Sequence, residues 1–223
     1  MLELGIDDAG RGPVIGPMIL SGVLMDNKHS TGLRKLGVRD SKQLTEKRRE
    51  FLVDKIKEKI EAFEVVIVKP EQIDKLIKEG TNLNEIEAIA CAKIINKINK
   101  GYGKIRVIVD CPSTSIIKWQ DLLKTKIDNL SNLEILCQHK ADQNHISVSA
   151  ASILAKNTRE KEMKKLKEIY GEEIGSGYTS DPLTKTFLAK NLKKHNDKGI
   201  FRKSWATWKQ AIMATNQTKL GDF

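Results

Sequence analysis

The sequence predicts a mixed α/β fold. Short β-branched runs alternate with longer stretches of helical periodicity. The first two apolar runs flank a tight Ala9-Gly10-Arg11-Gly12 turn and so can pair as a hairpin, whereas the later runs come with helices between them. From about residue 183 onward the pattern is helical only, which predicts a small helical C-terminal lobe.

The first strand covers residues 2–6 and leads into the acidic pair Asp7-Asp8. Residues 14–25 form the second, bent or bulged where Gly16, Pro17 and Gly22 weaken a regular ladder. Thr45 suits the N-cap of a helix carrying Phe51, Leu52, Ile56 and Ile60 at helical spacing. Residues 63–68 are the third strand, and Pro70 opens a short helix ending near residue 79. Asn82, with Glu85 three residues on, caps a helix whose buried stripe is Leu83, Ile86, Ala90, Ile94 and Ile98. Residues 105–109 form the fourth strand, ending at Asp110, and residues 133–137 the fifth, followed by Lys140-Ala141-Asp142. Residues 148–169 are helical, and residues 171–182 are a glycine-rich loop. Ser180 or Asp181 then caps a helix that begins at Pro182. A last helix covers 205–213. The expected organisation is a domain at 1–182, a helical lobe at 183–213 and a polar tail at 214–223.

With 223 residues, of which 39% are hydrophobic, the chain can bury one sizeable core. Its 39 Lys and Arg against 29 Asp and Glu give a net charge of +10, which favours polyanionic partners, nucleic acid first. Cys91, Cys111 and Cys137 form no CxxC pair, and the four histidines complete no zinc spacing. Three cysteines in such a chain predict reduced thiols. The start of the chain does not resemble a signal peptide, and no run approaches the roughly 18 apolar residues of a membrane span. The expectation is a soluble, cytoplasmic monomer with no membrane partner.

Three strand ends carry acidic residues: Asp7-Asp8, Asp110 and Asp142. An aspartate at the rim of a buried strand is partly desolvated, and gathered carboxylates repel one another unless something compensates. A divalent cation is the usual compensation, and oxygen ligands suit Mg²⁺ or Mn²⁺. Two such ions about 4 Å apart can activate a water and stabilise the leaving oxygen of an in-line attack on phosphorus. A lone strand-end aspartate is as readily a turn or cap residue, and Asp121, Asp128 and Asp197 are read that way. It is the set that points to chemistry.

These residues sit within a series of motifs. Gly5-Ile6-Asp7-Asp8-Ala9-Gly10-Arg11-Gly12-Pro13 resembles the opening signature of the ribonuclease HII family. Asp40-Ser41-Lys42-Gln43-Leu44, Val109-Asp110, Lys140-Ala141-Asp142 and the run from Val148 to Lys156 resemble its later elements in order. Gly175-Ser176-Gly177-Tyr178 with Ser180-Asp181-Pro182 resembles its tyrosine loop. The resemblance spans residues 5 to about 205. It implies a ribonuclease H-like five-stranded mixed sheet flanked by helices. It also implies cleavage of RNA–DNA hybrids and of DNA containing ribonucleotides, on the 5′ side of the ribonucleotide.

By the same resemblance, Asp7, Asp8, Asp110 and Asp142 hold two Mg²⁺ or Mn²⁺ ions. Gly10, Arg11 and Gly12 sense the ribonucleotide 2′-hydroxyl, where glycine lets backbone approach the sugar closely. Tyr178 packs on the deoxyribonucleotide side of an RNA–DNA junction. Lys42, Lys156 and Arg159 are candidate phosphate contacts, and Ser152 with its small neighbours is read as helix packing. One position departs from the pattern, because the family carries glutamate where this chain has Asp8.

Near the C-terminus, Gln217, Leu220 and Phe223 fit the spacing Q-x-x-L-x-x-F. This resembles the peptide with which replication and repair enzymes grip a ring-shaped sliding clamp, though with one aromatic instead of two. Ribonuclease HIII shares a similar core but carries an extra N-terminal domain, for which a signature at residue 5 leaves no room. A non-catalytic nucleic-acid binder and an all-DNA nuclease remain the other classes to test.

Overall fold

A computed structural model of the chain describes residues 1–38 and 44–217. Its strands are β1 (Leu2–Ala9), β2 (Met18–Asp26), β3 (Ala62–Val68), β4 (Ile105–Asp110) and β5 (Leu133–Gln138). They form a five-stranded sheet in the order β3-β2-β1-β4-β5. β1 runs antiparallel to β2 and parallel to β4, and β4 is parallel to β5, so the sheet is mixed.

β1 does not stop before the acidic pair. β2 offers partners to the end, Asp7 opposite Ser21, Asp8 opposite Leu20 and Ala9 opposite Ile19, so the ladder carries both aspartates inside the strand. β2 in turn begins only at Met18, after Pro17, which has no backbone N–H to give a ladder.

The helices are α1 (Ser30–Lys35), α2 (Glu46–Lys57), α3 (Pro70–Lys78), α4 (Leu83–Ile98), α5 (Ile116–Lys124), α6 (Ala141–Asn144), α7 (Ile146–Tyr170), α8 (Pro182–Asn191) and α9 (Ala206–Gln217). Thr45 caps α2 by accepting the Arg48 N–H at 3.3 Å, as expected. Asp181 caps α8 by accepting the Leu183 N–H at 3.0 Å. α1 and α5 escape the periodicity reading. α1 buries only Leu33, and α5 only Trp119 and Leu123, too few positions to register as a stripe. α9 runs on to Gln217, so the first residues of the expected tail are helical.

The residues gather into two compact units. The first takes Met1–Ala9, Ile19–Ile67 and Leu83–Thr158, and the second Gly10–Met18, Val68–Asn82 and the chain from Arg159 onward. The second thus takes in more chain than the lobe read at 183–213. In the first unit the α7 face of the sheet packs Val23 and Met25 with Leu52, Ile56, Ile153 and Leu154. On the α4 face, a side chain at Gly22 would collide with Ile94 and press on Leu4. In the second unit Val14, Ile15, Phe187, Phe201 and Trp208 share an apolar core. Among the described residues no helix is long and apolar enough to cross a membrane. Cys91, Cys111 and Cys137 are buried free thiols.

Candidate active site

The carboxylates of the first unit are brought together by strand register. In the parallel pairing of β1 with β4, Leu2 faces Ile105 and Ile6 faces Val109. One further step sets Asp7 beside Asp110. β5 continues the row, with Gln138 opposite Asp110, and the chain then turns through His139 and Lys140. Lys140 is left-handed at φ 56°, the one non-glycine residue with positive φ among those described. That strain is held by its surroundings. His139 Nδ1 lies 3.0 Å from the Cys111 carbonyl oxygen, and the Ala141 N–H donates to Asp110 Oδ1 at 3.1 Å. The Asp110 carboxylate therefore satisfies an otherwise orphaned amide at the start of α6. α6 carries Asp142, so Asp110 helps to fix the helix that delivers its acidic neighbour.

Side chains alternate across a strand, so Gly5 and Asp7 share the face toward α7. A Cβ at Gly5 would lie 2.2 Å from the backbone of Ser147 and Val148, which shows how closely α7 approaches β1. Farther along α7, the Ser152 hydroxyl hydrogen-bonds Asp7. Lys156 Nζ donates to that same Ser152 oxygen at 2.9 Å. Asp7, Asp8 and Asp110 line a cleft together with Glu87 and Cys91 of α4 and Trp119 of α5. The Asp8 N–H donates to Asp7 Oδ1 at 2.8 Å.

This setting is hostile to negative charge. Burial, and then the charges of Asp8 and Asp110, push the Asp7 carboxyl up from 3.8 to about 8, although the Ser152 hydroxyl and the Asp8 N–H oppose the rise. Burial also raises Asp110, with Asp142 adding to it and the Ala141 N–H working against it. Adjacent acids held at such cost call for positive charge, and an all-oxygen donor set fits Mg²⁺ or Mn²⁺. Asp7, Asp110 and Asp8, which line the cleft, are the residues that could hold one, with Asp142 near enough for its charge to act on Asp110. As they stand, no three acidic, histidine or cysteine side chains among the described residues are gathered closely enough to hold a metal ion.

Two residues of this site are not assigned to it by the sequence. Ser152 was read as packing, and it touches Asp7. Its signal is Lys156 four residues on, one helical turn away. Glu87 is 2% exposed. Its signal is a charge on the buried stripe of α4, between Ile86 and Ala88.

The second unit builds its own group around Tyr178. Gly10 is left-handed at φ 79°, and a Cβ there would meet Arg159 at 2.5 Å. A Cβ at Gly12 would stand 3.8 Å from the Tyr178 ring. Arg159 lies over that ring, its Cζ 4.8 Å from the centroid, and its Nη2 donates to the Ser176 carbonyl at 2.7 Å. The Val14 N–H donates to the Gly177 carbonyl at 2.9 Å. Asp181 Oδ2 accepts the Ser176 N–H at 2.7 Å, and Thr184 Oγ1 accepts that of Gly177 at 2.9 Å. The structure thus brings Gly10, Gly12, Arg159 and Tyr178 together and fixes the tyrosine loop, leaving Tyr178 37% exposed. Lys42, Leu220 and Phe223 lie outside the described residues, and Gln217 ends α9.

A family profile described as Ribonuclease HII matches residues 4–208. A protein named Ribonuclease HII from Methanococcus maripaludis strain C6 is 44% identical over 220 residues, covering 97% of this chain and 90% of that one. The crystal structure of the ribonuclease H2 from Pyrococcus horikoshii OT3 superposes with a TM-score of 0.87 at 36% identity, covering 97% of this chain and 100% of that one. The ribonuclease HII solved in complex with PCNA from Archaeoglobus fulgidus gives a TM-score of 0.80 at 36% identity, covering 92% and 95%. The fold is that of the ribonuclease H-like proteins.

Proposed function

The chain belongs to the ribonuclease HII family, and on that premise we propose that it hydrolyses the RNA strand of RNA–DNA hybrids and cuts duplex DNA on the 5′ side of embedded ribonucleotides. The observation that carries this reading is the parallel register of β1 and β4, which sets Asp7 beside Asp110 in a desolvated cleft. Asp7, Asp8, Asp110 and Asp142 supply the hard oxygen ligands. Two Mg²⁺ or Mn²⁺ ions bound there would activate the attacking water and stabilise the leaving oxygen, giving 5′-phosphate and 3′-hydroxyl ends. Ser152, held by Lys156, orients the Asp7 carboxylate. Gly10, Arg11 and Gly12 read the 2′-hydroxyl, and Tyr178 offers a partly exposed ring to the sugar of the next nucleotide.

The test is a pair of duplexes that differ by one ribonucleotide, each assayed with Mg²⁺ and with Mn²⁺. Cutting of the ribonucleotide duplex alone, only with a metal, is the expected result. Binding without product would make the chain a non-catalytic binder, and cutting of both duplexes would make it a DNA nuclease.

Asp8 should restrain the enzyme. Aspartate is one methylene shorter than the family glutamate, so its carboxylate reaches roughly 1–1.5 Å less far. A misplacement of that size can cost on the order of 10²-fold in rate. Asp8→Glu is therefore expected to turn over faster with Mg²⁺. Equal kcat for the two proteins under matched metal conditions would refute this.

The C-terminal residues Gln217, Leu220 and Phe223 are proposed to engage a sliding clamp, with Leu and Phe entering an apolar pocket and Gln anchoring. The solved complex of a relative with PCNA supports the class of partner. Removing residues 217–223 should abolish clamp binding in a pull-down or titration while sparing hydrolysis. Undiminished clamp affinity would dismiss the idea.

A further inference from the structure

The second unit contains a buried arginine, Arg202, that lies outside the carboxylate cleft and the tyrosine loop. Arg202 is fully buried, and its guanidinium faces backbone carbonyls. Nη2 donates to the Gly10 carbonyl at 2.6 Å, Nη1 to the Arg11 carbonyl at 2.7 Å and Nε to the Gly16 carbonyl at 3.0 Å. Trp205 adds a fourth contact, its Nε1–H donating to the Gly12 carbonyl at 3.0 Å. The two residues brace each other, with Arg202 Cζ 5.0 Å from the centre of the Trp205 ring.

The segment that carries them is itself tied down. The backbone N–H groups of Lys203 and Ser204 donate to the Asp74 carboxylate at 2.7 and 2.9 Å, and the Ser204 hydroxyl donates to it as well. The Arg202 N–H reaches the Val14 carbonyl at 2.8 Å.

This geometry has a consequence for the donors of the same loop. In a trans peptide the C=O of one residue and the N–H of the next point in opposite directions, and there is no cis peptide among the described residues. Holding the Gly10 and Arg11 carbonyls on the guanidinium therefore turns the N–H groups of Arg11 and Gly12 away from it. Trp205 fixes the Gly12 carbonyl, and the next residue, Pro13, has no N–H. Three consecutive carbonyls are thus held from one side, which fixes the planes of the peptides that carry the Arg11 and Gly12 amides. The open face of Gly12 lies against the Tyr178 ring.

We propose that Arg202 and Trp205 are positioning residues that fix the Gly10-Arg11-Gly12 backbone for reading the ribonucleotide 2′-hydroxyl. The inference rests on the assignment of Gly10-Arg11-Gly12 to ribonucleotide sensing. Arginine suits the place because its planar fork offers Nε, Nη1 and Nη2 to three separate carbonyls in fixed directions, whereas a lysine ammonium radiates its three donors from a single nitrogen. The arrangement fixes the amides before substrate arrives, so their ordering is not charged against binding.

The experiment compares affinities, in Ca²⁺ to prevent turnover, for a duplex with one ribonucleotide and for its all-DNA twin. Wild type should prefer the ribonucleotide duplex. Trp205→Phe keeps the ring and removes only the Nε1–H, and it should reduce that preference by about threefold to tenfold, the scale of one hydrogen bond. Arg202→Lys should reduce it by about tenfold or more. Neither change should alter affinity for the all-DNA twin, and the ¹⁵N amide signals of Arg11 and Gly12 should move in both free variants. A role confined to stability would weaken both duplexes together or neither. Either of those results, with the preference intact, overturns the inference while leaving the proposed function standing. A wild type without any preference overturns the sensing assignment itself. If Arg202→Lys fails to fold, Trp205→Phe decides alone.

Discussion

Asp7→Asn should stop turnover and, with no cation present, make the protein more stable above pH 8. The two effects have one cause. Asp7 is 7% exposed and shares its cleft with Asp8 and Asp110, so its carboxyl is pushed up from 3.8 to about 8. The folded state therefore keeps a proton that the unfolded chain releases. Stability is full below pH 3.8, falls as pH rises through the interval to about 8, and stays low above it. Asparagine cannot ionise, so the variant escapes this decline.

Melting temperatures in EDTA from pH 4 to pH 9 should show a gap between variant and wild type that widens with pH. Added Mg²⁺ should narrow the gap, because a cation relieves the wild type and has less to relieve in the variant. A gap independent of pH would contradict the account. For turnover the loss should be about 10³-fold or more, since metal-held charge contributes several kcal/mol to the transition state and each 1.4 kcal/mol is tenfold.

Gly5→Ala should be the most damaging small substitution in the first unit. Its new methyl group would lie 2.2 Å from Ser147 C and Val148 N and 2.6 Å from Ser147 O. All three are backbone atoms, so no rotamer change can make room, and β1 must separate from the start of α7. Overpacking of this kind costs roughly 1–3 kcal/mol, more where backbone must move. At this chain length each kcal/mol lowers the melting temperature by about 2–4 °C. A fall of about 10 °C, or no soluble protein at all, is expected. Soluble variant should also be slow, because the same strand carries Asp7 to Ser152 of α7. Gly32→Ala is the control, since nothing lies within 4 Å of a Cβ there. It should melt within a degree or two of wild type, or higher. Equal melting temperatures for the two substitutions would remove the close approach of α7 from the explanation.

Much of this site could be read from local sequence, because its scaffold is local. A β-branched run ending in an aspartate announced β4 and Asp110, and helical spacing announced α2, α4 and α7. The extension of β1 through Asp8 was not legible, since it depends on β2 supplying partners from Ser21 to Ile19. Ser152 could not be told from its small neighbours, because what distinguishes it is a strand 145 residues earlier in the chain. The same applies to Arg202, whose acceptors at Gly10 and Arg11 lie at the opposite end of the chain. Its neighbours in sequence, Phe201, Lys203 and Ser204, carry no signal of a buried charge, yet Arg202 is the largest fully buried side chain among the described residues. Pattern reports which face of an element is buried; it does not report what a distant side chain will meet there.

Mn²⁺ titration followed by electron paramagnetic resonance tests the convergence of the carboxylates most directly, and it needs no substrate. Wild type should bind Mn²⁺, and Asp7→Asn and Asp110→Asn should each weaken binding by about tenfold or more, as expected when one charged ligand is lost. Asp121→Asn, on the outer surface of α5, should bind as wild type does. If all four proteins take up Mn²⁺ with equal affinity, Asp7 and Asp110 do not share an ion, and the account of the site fails.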